Sequence, residues 1–424
     1  MKKIVVTCLL LVNFISFSKE ITLEQAIDLS LNNSKEVKIS EKNLEISNIN
    51  VSKALKNALP SLNYSGRYSI GEHERKILPK SESMYLDRKR GYTQSIRIAQ
   101  PLFAGGSIIS TIKGAKAYEN IASYTYLKSK IQNRLDTIKI YSNIINAEKN
   151  MEALKKSENI LEKRYKKQEE QLKLRLITKT DLLRTDYSLK QIQSQIISNQ
   201  NMIDSNKERL YVRTGIDKNE NLILKDFDIP ETLTSQISLD RDLKQAVEES
   251  LTSKIASEQH KVALATKNAA IGDMLPQVSA FAGYSTTERT TFNRSSKDGE
   301  WLGGVEVSWK VFSFGKDFDN YRVAKLEAEK QALNENSVKE NVEIEVKSAY
   351  LDLLSLEKQK DSQEKALAAA KLTFEQDQER YDAGLLSIID YLDSENKYRQ
   401  ASINYNKTLL DYYYAFEKYR SLLI

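Results

Sequence analysis

Two histidines, one cysteine and a few closely spaced aspartates are the residues from which chemistry could be built in this 424-residue chain. His73 lies in a charged stretch and His260 in a helical one, far apart and outside any His-Glu-x-x-His pattern. They form neither a metal-binding pair nor a base held by a partner. Gly315-Lys316 is followed by Asp317, not Ser or Thr, and lacks the preceding glycine of a phosphate loop. Carboxylates are abundant along helical stretches, where solvated charge is their ordinary role. This inventory excludes an enzyme and implies no cofactor and no metal centre, so any work must draw its energy from a partner. One pair remains. Asp390 and Asp393 are three residues apart, which puts both on one face of a helix. Asp390 also stands near that helix's start, where an acid complements the dipole.

Residues 1–18 read as an export signal. Lys2 and Lys3 give a positive start, Ile4 to Phe17 a short apolar core, and Ser16 and Ser18 small residues before a cut at Lys19. The apolar run is shorter than the ~20 residues of a spanning helix, and Asn13 interrupts it. Cys8 lies inside the run, not at its end where a lipoprotein cysteine would stand. The mature chain is therefore expected to have neither disulfides nor a thiolate site. The net charge of +6 falls to +4 without Lys2 and Lys3, in a chain that is 29% charged with signs intermixed, which argues against nucleic acid. No later stretch is a long apolar helix, so a route through a membrane must be a β-barrel, whose strands signal weakly. With 14 Gly and 5 Pro in the whole chain, long uninterrupted helices are expected.

The chain repeats itself. Phe103-Ala104-Gly105-Gly106 matches Phe312-Ser313-Phe314-Gly315 at an offset of 209, which also sets Tyr141 on Tyr350, Asp181 on Asp390 and Glu208 on Glu417. Upstream, Ala58-Leu59-Pro60-Ser61 matches Met274-Leu275-Pro276-Gln277 at 216, so the intervening loop is longer in the first half. Two tandem repeats are expected, residues 19–230 and 231–424, with a linker near Thr214 to Leu239. Each reads as helices, strand, loop, strand, very long helix, turn, helix. Alternation predicts strands over about 61–70 and 92–102, then about 277–286 and 302–312. Leu62, Tyr64, Tyr68 and Ile70 share one face, and Val305, Val307, Trp309 and Val311 another. Arg67, Arg97, Glu306 and Lys310 fall on the opposite, polar faces.

Long helices are predicted over about 106–174, 180–213, 316–383 and 388–422. Leu182, Leu189, Ile196, Ile203 and Leu210 recur every seven residues, and Tyr391, Tyr398, Tyr405, Tyr412 and Tyr419 occupy the same stripe in the second half. A sustained seven-residue repeat makes a left-handed coiled coil, and a tyrosine stripe suits a partly wet seam. At ~1.5 Å per residue the helix over 106–174 is a rod of roughly 100 Å. Four strands cannot close a membrane barrel, because an open edge in lipid leaves backbone groups unpaired at several kcal/mol each. Copies must pool strands, and three copies would give twelve. The polar strand faces, with Arg67, Arg97, Glu306 and Lys310, would then line a water-filled lumen.

The chain resembles the TolC-like outer-membrane efflux family across essentially all of its mature length. Gln100-Pro101-Leu102-Phe103-Ala104-Gly105-Gly106 and Val311-Phe312-Ser313-Phe314-Gly315 are similar to the family's strand-to-helix junctions. Tyr381-Asp382-Ala383-Gly384 and Ile389-Asp390-Tyr391-Leu392-Asp393 resemble its periplasmic tip. The resemblance implies a mainly α protein with membrane β: a homotrimer with a shared 12-stranded barrel and a coiled-coil helical tunnel through the periplasm. It implies an exit duct for efflux or secretion, set in outer-membrane lipid and working with a periplasmic adaptor (membrane fusion) protein and an inner-membrane transporter. Asp390 and Asp393 align with the family's selectivity aspartates, which would form stacked carboxylate rings that favour cations. Thr180, Asp181 and Tyr381 match positions of its gate lock, but the family's lock arginine is Leu386 here, with Lys179 and Arg175 nearby. Arg175 also stands where the second tip has Gly384, so the two turns need not share one geometry. The competing class is a coiled-coil structural rod of the periplasm or cell surface without a pore. The alternating aromatic strands in each half are what such a rod does not need.

Overall fold

The computed structural model describes residues 19–70, 90–218, 222–288 and 299–424. The expected signal with Cys8, and the charged loop with His73, lie outside them. In chain order the elements are β1 (Lys19–Ile21), α1 (Leu23–Asn33), α2 (Lys35–Lys56), β2 (Ser61–Ile70), β3 (Arg90–Ala104), α3 (Ser107–Lys173) and α4 (Lys179–Thr214). They continue with β4 (Leu222–Leu224), α5 (Leu239–Glu249), α6 (Leu251–Gly272), β5 (Gln277–Glu288), β6 (Gly299–Ser308), α7 (Lys316–Asp382) and α8 (Ile388–Leu422). Contacts group them into two compact units: residues 1–41, 125–251 and 339–424, and residues 42–124 and 252–338.

The unit of 42–124 and 252–338 holds one antiparallel sheet in the order β2-β3-β5-β6. The register aligns Tyr64, Ile96, Tyr284 and Trp301 in one row across all four strands. Next to it runs a row of Ser65, Ser95, Ser285 and Glu300. Because side chains alternate along a strand, these rows lie on opposite faces. The apolar face is bare: Leu62, Tyr64, Ile96, Val305 and Trp301 are exposed, Trp301 by 80%. Pro101, which can donate nothing to the ladder, sits where the β3–β5 register shifts.

The strand expected over 302–312 ends earlier, at Ser308, because Ser308 pairs with Gln277 and β5 begins there. Trp309 and Lys310 leave the alternation. The Trp309 indole N–H donates to the Met274 carbonyl at 3.1 Å, and Lys310 lies 3.3 Å from Asp317. Phe314 and Gly315, both at positive φ, then turn the chain into α7, whose first turn is capped by Ser313.

The unit of 1–41, 125–251 and 339–424 is helical around two cores. One gathers Ile21, Ile27, Ile138, Tyr141, Ile144, Leu210, Leu224 and Leu410. Its β1 and β4 form a short parallel pair, and the buried Tyr141 hydroxyl lies 2.9 Å from the Ile21 carbonyl and 2.6 Å from that of Lys225. The stretch expected as linker therefore contains a strand. The second core joins Leu154, Leu161, Leu189, Ile192, Phe374, Ile388 and Tyr391. In α4 the buried seam takes Asn199 and Asn206 along with Leu189, Ile203 and Leu210. Asn199 is satisfied by donating to the Ala147 carbonyl at 2.7 Å, as a buried amide must be.

Candidate functional site

Each long helix pair turns through five residues, 174–178 between α3 and α4 and 383–387 between α7 and α8. Arg175 has φ of 58° and Gly384 of 76°. The Leu176 N–H donates to Gln171 and the Arg175 N–H to Leu172, and Leu385 and Gly384 donate in the same pattern to Arg380 and Tyr381. The two turns therefore share one left-handed helix stop, although arginine stands in one where glycine stands in the other. Exposed on a turn, Arg175 can adopt the left-handed conformation at a cost of ~1–2 kcal/mol.

The aspartates at the helix starts act as caps. Thr178 Oγ1 donates to Asp181 Oδ2 at 2.7 Å and accepts from the Asp181 N–H at 3.2 Å, and the Thr178 N–H reaches Asp181 Oδ2 at 3.1 Å. Ser387 and Asp390 repeat this at α8, with a side-chain bond of 2.7 Å and a backbone bond of 3.2 Å. Such a box satisfies N–H groups that a helix start leaves open. Asp393 lies one turn on, exposed, and ion-paired with Lys397 at 2.7 Å. Thr180 is exposed beside Asp181.

Within the chain, the three residues matched to the lock do not come together. Asp181 is engaged in its own turn, while the Tyr381 hydroxyl accepts from Gln168 Nε2 at 2.9 Å. What the structure assembles instead is a cluster that residue spacing does not reveal. Arg164 Nη1 donates to Asp382 Oδ1 at 2.8 Å, and Lys167 reaches the same oxygen at 3.0 Å. The Arg164 guanidinium stands over the rings of Tyr381 at 4.5 Å and Tyr391 at 4.7 Å. Its hydrogen bond, followed by that of Lys167, holds the Asp382 carboxyl below the usual carboxylate range. Burial pushes the Tyr391 phenol up. The tip segments and the tyrosine stripe single out Tyr381, Asp382 and Tyr391 in the sequence, but nothing in the order of residues distinguishes Arg164 from neighbouring charges.

On the sheet, Arg67, Arg97 and Glu306 share the polar face, as the register requires. Arg97 forms an ion pair with Glu306 across β5, over the Phe281 ring at 4.5 Å. Lys310 lies past the strand end and pairs with Asp317. Among the described residues, no group of three potential metal ligands occurs and no helix is long and apolar enough to cross a membrane.

The chain matches the profile of the family described as outer membrane efflux protein over residues 26–215 and 243–423. It is 27% identical over 198 residues to the cation efflux system protein CusC of Escherichia coli K12. That match covers 45% of this chain and spans 39% of the relative's length. The Campylobacter jejuni CmeC outer membrane channel superposes with a TM-score of 0.82 at 18% identity, covering 95% of this chain and 85% of the other. The open state of the Neisseria gonorrhoeae MtrE outer membrane channel gives 0.75 at 17%, covering 95% and 88%. At these identities the superpositions show a shared fold.

Proposed function

This chain belongs to the outer membrane efflux protein family, and from that premise we propose that it is the exit duct of an efflux system. It sits in the outer membrane and extends into the periplasm. The observation that carries the reading is the four-stranded sheet: one face exposes Leu62, Tyr64, Ile96, Trp301 and Val305, and the other carries serines, Arg97 and Glu306. In water such an apolar face would need a cover; in a barrel it meets lipid while the polar face meets a wet lumen. Both sheet edges, β2 and β6, have one side unpaired among the described strands. In lipid that requires strands from further copies. Three copies, each built from two tandem repeats, give a twelve-stranded barrel continued by a coiled-coil tunnel.

Energy and cargo would come from an inner-membrane transporter through a periplasmic adaptor, because the chain's own chemistry offers helix caps and ion pairs. The tips around 174–181 and 383–393 form the inner gate. There Asp390 and Asp393 of three copies make two carboxylate rings that attract cations and are neutralised by a multivalent one. Thr180, Asp181 and Tyr381 contribute to the lock between tips, and Arg67, Arg97 and Glu306 line the barrel. Lys310, past the end of β6, stands at its rim.

The test is conductance of the purified mature protein in planar bilayers. Ion-conducting steps from a detergent-stable trimer support the duct; no conductance supports the rod without a pore. Replacing Asp390 and Asp393 with Ala should lower cation preference and abolish block by trivalent metal ions added on the periplasmic side. Unchanged selectivity and block would leave Asp390 as part of a helix cap and Asp393 as the partner of Lys397.

A further inference from the structure

Arg164 is a charged side chain only 7% exposed in the middle of a helical core. A charge so placed is tolerated when it is paired and hydrogen-bonded, and removing its partner is strongly unfavourable. Its partners lie on both sides of one turn. Asp382 is the last residue of α7, and Tyr391 lies in the first turn of α8. The guanidinium donates to the first and stands over the ring of the second and, beside it, the ring of Tyr381, whose centroid is 5.1 Å from that of Tyr391. Lys167 and Gln168, three and four residues along α3 and so on the same face, bind Asp382 and the Tyr381 hydroxyl. Three side chains of α3 therefore fix the end of α7 and the start of α8 at once.

At the first tip the 209 offset puts Lys173 in the place of Asp382, and Lys173 pairs with Glu170 of its own helix at 2.8 Å. Leu386, in the second turn, packs against the apolar cluster and offers no charge.

We propose that Arg164 is the positioning residue of the gate: its bond to Asp382 holds the second tip turn against α3, and the gate opens when that bond is released. The proposal rests on the duct reading and adds to it a latch inside each chain. In the structure Asp382 faces Arg164 and Lys167 from α3, and Tyr391 from α8 stands near Arg164, Asp382 and Glu395. Opening must replace the Arg164 bond with water.

The experiment uses the full mature chain in planar bilayers, with backbone hydrogen exchange on the same preparations. Arg164→Met keeps an apolar stem of similar length and removes the charge, while Asp382→Asn changes the half-exposed partner and leaves the core intact. Each should raise the open fraction about tenfold, the effect expected for losing one charge-assisted bond. The double variant should add little to either, because both remove one interaction. Arg164→Lys, which retains the charge, should restore most of the closed state. Exchange of the Gly384 and Leu385 amides should quicken in Arg164→Met and Asp382→Asn, while Arg175 and Leu176 remain as in wild type. Wild-type conductance and wild-type exchange at Gly384 in both single variants would overturn the proposal. Equal quickening at both tips would also overturn it, because that marks a loosened core and not a latch. If no form conducts, the duct reading falls, and exchange at Gly384 and Leu385 alone decides the role of Arg164.

Discussion

Replacing Gly105 with alanine probes the point where β3 becomes α3, and a neighbouring glycine supplies the control. Gly105 has φ of +60° and Gly106 of +84°. Placing an L-residue in this region costs ~1–2 kcal/mol, and both substitutions incur it. Their surroundings differ. A Cβ on Gly105 would stand 2.2 Å from the Gly272 carbonyl oxygen and 2.9 Å from its carbonyl and α carbons, whereas one on Gly106 meets nothing within 4 Å. Carbon and oxygen rest at about 3.3 Å or more, so the end of α6 or the turn itself must move by roughly 1 Å. The obstacle is main chain and cannot rotate aside. Overpacking of this kind typically costs ~1–3 kcal/mol. The expected losses are then about 2–5 kcal/mol for Gly105→Ala and about 1–2 kcal/mol for Gly106→Ala. Phe314, at φ of 52° and 91% exposed, occupies the matching place in the second half of the chain. The conformation alone is therefore not prohibitive. Denaturant unfolding of the detergent-solubilised protein, followed by helical circular dichroism, should rank wild type above Gly106→Ala and Gly106→Ala well above Gly105→Ala. Equal losses in the two variants would refute the claim that close approach to Gly272, more than backbone conformation, reserves position 105 for glycine.

Trp301→Asp places a charge on the apolar sheet face, where facing lipid costs up to ~2–4 kcal/mol at the midplane, so the heat-modifiable assembled band should fall sharply. Glu300→Lys, on the opposite face, should assemble as wild type, and equal assembly of the two would reverse the assigned facing. Tyr141→Phe removes a buried hydroxyl that lies 2.9 Å and 2.6 Å from two carbonyls, and should lower stability by ~1–3 kcal/mol. An unfolding midpoint unchanged from wild type would show that the β1–β4 pair does not depend on this bond.

The family is legible in the order of residues because its marks are local and duplicated. They are the 209-residue offset, the glycine-bearing junctions at 103–106 and 312–315, and the tip segments 381–384 and 389–393. Periods of two and of seven are legible for the same reason, since backbone geometry alone sets which side chains share a face. Leu62 and Tyr64 point away from Asn63 and Ser65 in any strand, and Leu189, Ile203 and Leu210 share a stripe on any helix. Where an element stops is less local. The alternation runs on to Phe312, but β6 ends at Ser308 because its neighbour begins at Gln277. Likewise, β4 is a strand because Leu222 to Leu224 lie beside Lys19 to Ile21, some two hundred positions away.

Pairing between distant side chains was decided by the tertiary structure alone. The chain has 64 basic and 58 acidic residues, so thousands of ion pairs are compatible with its sequence. Packing selected Arg164 with Asp382, 218 positions apart, and excluded water from around the arginine. It also gave Tyr381 to Gln168 and kept Asp181 with Thr178. An amino-acid sequence sets the period and chemistry of each face, because those follow from bonds along the chain. Which faces meet, and hence which charges lose their water and need a partner, follows from the shape that buries them.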